Sequence, residues 1–220
     1  MRKRIGVLIS GRGSNLGALI EAASLPDYPA EIALVLSNRP AAKGLALAEA
    51  AGIPTEVVDH KSFESRAAFD AQMDRHLKAA NVDLVCNAGF MRILSDEFVH
   101  AWEGRMLNIH PSLLPSFKGL DVHQRVLDAG VRLTGCTVHF VTPEMDAGPI
   151  VAQAAVPVLP DDDAESLAAR VLKAEHELYP FALRLVASGT VHWLDGKVTV
   201  SERYAPAAPL FVPPLTAGDK

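Results

Sequence analysis

Cysteine is scarce in this chain. Only Cys86 and Cys136 occur among 220 residues, both inside apolar segments and outside any C-x-x-C spacing, so they read as reduced core thiols and not as a disulfide framework or a zinc site. No apolar run approaches the length of a membrane span. The opening MRKRIGVLIS is charged, but its apolar stretch is short and runs directly into a glycine-rich turn, which predicts a first strand in a soluble, cytoplasmic protein and no leader. After RKR no lysine or arginine cluster follows, and the net charge is −5 with a pI near 5.9. Neither a nucleic acid nor a membrane surface is expected as a partner; a small anion held by a few backbone amides at a helix start stays open. The eight histidines are scattered, without H-E-x-x-H, so no metal is expected.

Apolar residues, in contrast, are plentiful. They make up 49% of the chain, with a mean hydropathy of +0.16, enough to bury a full core. Short apolar runs at 4–9, 31–36, 55–58, 83–87 and 106–109 alternate with helical periodicity at 15–23, 43–51, 65–80 and 95–102. This rhythm predicts an α/β fold in which helices cover both faces of a doubly wound, mostly parallel sheet. After residue 119 a short helix at 122–129 precedes two strand-like runs, GCTVHFV and IVAQAAVPV, which can pair as a hairpin across the loop TPEMDAGP. A long C-terminal helix is expected from Asp163 to about Gly189, with Asp162 and Glu165 as its capping signal. VHWLDGKVTV then reads as a small hairpin turning on Asp-Gly. One domain is expected over residues 1–204, followed by a proline-rich, loosely held tail at 205–220.

Two local patterns carry chemistry. SGRGSNL lies between the first strand and first helix, where the amides of Gly13, Ser14 and Asn15 can hold a phosphate; without a ligand the same residues read as a tight turn capped by Ser14 or Asn15. The spacing is neither G-x-G-x-x-G nor a P-loop. In NIHPSLLPSFKG, Asn108 and His110 stand two apart on a strand that Pro111 ends. They therefore share a face at the strand's carboxyl end, where such sheets bind ligands. Asp146, beside Gly148 in the later loop, is a carboxylate that favours an imidazolium if it reaches His110. An amide donor, a proton-carrying imidazole and a carboxylate suit transfer of a carbonyl carbon. No activated serine or cysteine is evident, so the substrate itself supplies the nucleophile.

The segments LISGRGSNL, NAGFMRIL, LNIHPSLLPSFKGL, VHFVTPEMDAGPI and AEHELYPF occur in order and with compatible spacing up to about residue 196. Together they resemble the phosphoribosylglycinamide formyltransferase family, folate-dependent enzymes of de novo purine (IMP) biosynthesis. HPSLLP and Asp-x-Gly-Pro are common to formyltransferases at large, whereas GRGSN and GFMRIL point to the narrower group. The resemblance implies a Rossmann-like formyltransferase fold. It also implies transfer of the formyl group from the co-substrate 10-formyltetrahydrofolate to the amine of glycinamide ribonucleotide, with a monomer or homodimer as the working unit.

Site roles follow residue by residue from the same resemblance. Gly13, Ser14 and Asn15 hold the ribonucleotide phosphate, and Glu175 its ribose hydroxyls. Asn108 and His110 meet the oxyanion, and Asp146 orients His110. Arg66, Met91, Arg92, Ile93, Leu94 and Val141 line the folate cleft. The family's usual glutamine one turn before Glu175 is here Leu172, a departure at the ribose subsite. Thr137 and His139 share a face near the site and either touch substrate or support the strand; His123 is a further neighbour or a surface helix residue. Three rival readings remain: a hydrolytic deformylase, a tRNA-directed formyltransferase, which needs an extra basic domain, and a sensor that binds nucleotide or folate without turnover.

Overall fold

The computed structural model describes residues 1–201 and Val212, so the expected tail at 205–220 lies, apart from Val212, outside the described residues. Five strands, β1 (Lys3–Ile9), β2 (Ala30–Ser37), β3 (Thr55–Val57), β4 (Leu84–Asn87) and β5 (Met106–His110), run parallel. Two more, β6 (Leu133–Phe140) and β7 (Ile150–Pro157), extend the sheet antiparallel and pair with each other as expected. The strand order is β3-β2-β1-β4-β5-β6-β7. The order reverses between β1 and β4, and the carboxyl ends on either side of that reversal open a crevice.

The central strands β1, β4 and β5 are buried on both faces, which is why they read as continuous apolar runs. Along β1, Ile5, Val7 and Ile9 enter one core and Leu8 the other. Helices α1 (Ser14–Ala23), α2 (Gly44–Ala50), α5 (Val122–Asp128) and α6 (Ala164–Ala187) contribute to the first core. The second takes Phe69, Met73 and Leu77 from α3 (Arg66–Ala79) and Phe98 and Val99 from α4 (Asp96–Ala101). Gly6 faces α3 so closely that a Cβ there would lie 2.5 Å from the Leu77 side chain; a larger residue would push helix from sheet. Cys86 and Cys136 are buried and free, and burial pushes both thiols up to about 12.

The start of α6 differs from expectation by one residue. Asp163, not Asp162, caps the helix: its carboxylate accepts from Ser166 N at 2.7 Å, and the Ser166 hydroxyl accepts from Asp163 N at 3.0 Å. Asp162 is taken by Arg170, whose guanidinium forks onto both carboxylate oxygens at 2.6 and 2.7 Å and holds the carboxyl down at about 2. With Asp162 engaged there, the next acidic residue becomes the cap. The Asp-Gly hairpin forms as read, joining β8 (Val191–Leu194) and β9 (Lys197–Val200) through Asp195 at φ 49° and Gly196 at φ 74°. Two successive positive φ values are what a primed turn requires.

Candidate active site

Alternation along β5 decides which way its polar residues point. Met106 is buried in the core beneath α3 and α4, and Asn108 and His110, two and four residues on, occupy the same face at the strand's end. Pairing with β6 is antiparallel and sets His139 opposite Asn108 and Thr137 opposite His110. Four polar side chains thus share one patch above a hydrophobic floor.

Each has a defined partner. His110 donates from Nε2 to the Phe117 carbonyl at 2.9 Å, and its Nδ1 lies 3.4 Å from Asp146 Oδ2. The Asp146 side chain is only 11% exposed, so its carboxylate is turned inward and not into bulk solvent. It also accepts from Gly119 N at 2.9 Å and approaches His139 Nε2 to 3.9 Å. The loop that carries it returns tightly against β6: a Cβ on Gly148 would fall 1.7 Å from the Phe140 carbonyl oxygen. His139 donates from Nδ1 to the Phe140 carbonyl at 2.8 Å, which leaves Nε2 to accept from the Asn108 amide at 3.2 Å. Burial pushes the His139 pKa down, in keeping with a neutral ring that accepts. One Asn108 N–H is spent on His139 and the second remains for an incoming oxygen.

Thr137 is fully buried. Its hydroxyl donates to the Ser112 carbonyl at 2.6 Å and accepts from Leu114 N at 3.0 Å, so it supports the loop after His110. His123 is half-buried in the first turn of α5, its Nδ1 without a partner among the described residues, and burial beside His110 lowers its pKa.

At the neighbouring crevice Gly13 takes the N-cap position of α1 with φ 77°, and no side chain caps the helix. The first intrahelical bond runs from Gly17 N to Gly13 O, so the amides of Gly13, Ser14 and Asn15 precede it and have no acceptor within the helix. The Asn15 side chain is engaged elsewhere, donating to Glu175 Oε2 at 2.7 Å across α1 and α6. Both residues are buried, and burial pushes the Glu175 carboxyl up while the Asn15 amide draws it back. This amide supplies the polar neighbour that Leu172 lacks.

Arg66, Met91, Arg92 and Ile93 line one cleft of about 350 Å³. Leu94 is buried in the core on that face and Val141 packs against the same core. The contact of Asn108 with His139 was not legible beforehand, because it depends on cross-strand register. The alternation in TVHF was its only signal.

A sequence model of the Formyl transferase family matches residues 3–183. A trifunctional purine biosynthetic protein of Gallus gallus is 58% identical over 188 residues, covering 86% of this chain and 19% of that one. The chain thus spans about a fifth of the length of that multifunctional relative. A phosphoribosylglycinamide formyltransferase of Haemophilus influenzae is 42% identical over 92% of this chain and 99% of its own. The crystal structure of the phosphoribosylglycinamide formyltransferase from Brucella melitensis superposes with a TM-score of 0.83 at 57% identity, covering 86% of this chain and 97% of that one. With a family match over most of its length and near full-length relatives of one kind, the chain belongs to the formyl transferase family and, within it, to the phosphoribosylglycinamide formyltransferases.

Proposed function

We propose that the chain transfers the formyl group of 10-formyltetrahydrofolate to the amine of glycinamide ribonucleotide in purine biosynthesis, by direct attack and without a covalent enzyme intermediate. The observation that carries this reading is the convergence of Asn108, His110 and the inward-facing Asp146 at the carboxyl end of β5. Such a set has use in proton-coupled acyl transfer and little in binding alone.

The substrate amine attacks the formyl carbon; a C–N bond forms and the carbonyl electron pair moves onto oxygen. The second N–H of Asn108 donates to that oxyanion, and His110 joins it when its Nε2–H leaves the Phe117 carbonyl, while Nδ1 stays against Asp146. Because His139 already holds the Asn108 amide, this donor needs no reorganisation when charge develops. The tetrahedral intermediate then collapses. Its bond to the folate nitrogen breaks, and the proton lost by the attacking amine reaches that nitrogen through His110. Asp146 orients the imidazole and stabilises the positive charge the ring holds in transit. The amides of Gly13, Ser14 and Asn15 take the phosphate, Glu175 a ribose hydroxyl, and the cleft between Arg66 and Ile93 the folate.

Purified protein mixed with both substrates tests the reading through release of tetrahydrofolate. Release that depends on the ribonucleotide supports it. Equal release without the ribonucleotide identifies a hydrolase, and binding without turnover identifies a sensor.

A further inference from the structure

The cleft loop presents three exposed side chains, Met91, Arg92 and Ile93, with Met91 66% and Ile93 69% exposed. No packing of these side chains against the core holds the loop in shape. Its backbone is tied at both ends by buried groups instead. At the near end Met91 N donates to Ser10 Oγ at 2.8 Å, and Ser10, 3% exposed, donates to the Oδ1 of fully buried Asn38 at 2.6 Å. At the far end Ser95 N donates to Asp70 Oδ2 at 2.6 Å, and the Ser95 hydroxyl in turn caps α4 by accepting from Phe98 N. Asp70 is 2% exposed, and its other oxygen, Oδ1, has no partner among the described residues.

A buried carboxylate with one oxygen left unpartnered is costly unless something is gained by it. Asp70 lies four residues after Arg66 on α3, one helical turn along the same face. The helix that offers Arg66 to the cleft therefore also sets the far end of the opposite wall.

We infer that Ser10 and Asp70 are positioning residues for the folate cleft, two backbone clamps that hold the segment 91–94 at a fixed spacing from Arg66. This rests on the folate reading proposed above for that cleft. Both clamps act on amides and leave the pterin contacts to the loop they hold. Neither touches the residues assigned to the reacting carbon.

The test is a comparison of Asp70→Ala, Asp70→Asn and Ser10→Ala with the parent protein. It reads KM for each substrate, kcat, the melting temperature, and hydrogen exchange at the Met91 and Ser95 amides. Loss of either clamp is expected to raise KM for 10-formyltetrahydrofolate by about tenfold, the scale of one lost hydrogen bond to a charged or buried group. KM for the ribonucleotide should stay within about twofold, while exchange at the freed amide accelerates. Asp70→Asn keeps an oxygen for Ser95 N and should restore the folate KM. The sign is diagnostic: taking a negative charge away from Arg66 and Arg92 would by itself tighten binding of an anionic tail, so an electrostatic role predicts a lower KM in Asp70→Ala.

A folate KM unchanged or lowered in Asp70→Ala, or both KM values rising together, overturns the inference. If Asp70→Ala does not fold, Ser10→Ala decides by the same criteria. Should the parent protein not turn over this donor, the functional reading fails; the clamps are then judged by amide exchange alone, and unchanged exchange at Met91 and Ser95 in the variants overturns them.

Discussion

Asn108 has two amide hydrogens with different duties. One is committed to His139 Nε2 at 3.2 Å and fixes the rotamer, and the other is the donor that the proposed mechanism gives to the oxyanion. Asn108→Ala removes a preorganised donor, and kcat is expected to fall about 10²–10³-fold with little change in melting temperature, checked by steady-state kinetics and calorimetry. Asp146→Asn leaves a side chain of the same shape 3.4 Å from His110 Nδ1 but takes away the charge on which the proposed proton transfer relies. A fall in kcat of about 10²–10⁴-fold is expected; full activity in this variant would remove Asp146 from the mechanism. At this scale the sequence was informative wherever the relevant geometry is local. That Asn108 and His110 point the same way follows from a two-residue repeat, whereas the His139 contact needs the registration of β6 against β5, a relation between residues 31 apart.

Glu175 shows how helices, more than single residues, set the chemistry of a site. It sits on α6 and meets Asn15 in the first turn of α1, so helix packing determines how dry the carboxyl is. Burial raises its pKa. A carboxyl whose folded pKa exceeds its unfolded value holds more protons in the native state, so stability falls as pH rises from the ordinary carboxylate range through the folded value. Glu175→Gln keeps an oxygen for the Asn15 amide and removes the charge. The variant should melt higher at pH 8, by roughly 2–4 °C, the shift expected from about 1 kcal/mol in a chain of this size. The gain should vanish near pH 4, where the parent carboxyl is protonated, and KM for the ribonucleotide should rise. Thermal melts at the two pH values read the first effect and kinetics the second. The cap of α6 teaches a related lesson. Asp162, Asp163, Glu165 and Ser166 are all plausible in sequence, and the choice fell to Asp163 because Arg170, two turns into the helix, already holds Asp162.

Across the whole molecule one sheet separates two cores, one holding Trp102 and the other bordered by Trp193, whose ring meets Phe140 edge-on at 5.3 Å. Strands β1, β4 and β5 send residues into both cores, so neither is expected to melt without the other. Tryptophan fluorescence and far-ultraviolet circular dichroism should give coincident denaturation curves. Separated midpoints would show that the α3–α4 layer unfolds on its own. The architecture was legible at this scale because strands buried on both faces leave an unmistakable composition, and because helices between them leave one economical arrangement, a parallel sheet with two covered faces.

Local physics alone therefore determined the elements, the Asp-Gly hairpin and the shared face of Asn108 and His110, since each depends on neighbours within a few residues, and the doubly wound class followed from the alternation of those elements along the chain. Only the tertiary structure decided that His139 holds Asn108, that Asn15 answers Glu175, and that Leu94 turns into the core while Met91 and Ile93 stay in the cleft. Those outcomes depend on strand register, helix packing and competition for buried partners, which are settled between segments far apart in the chain.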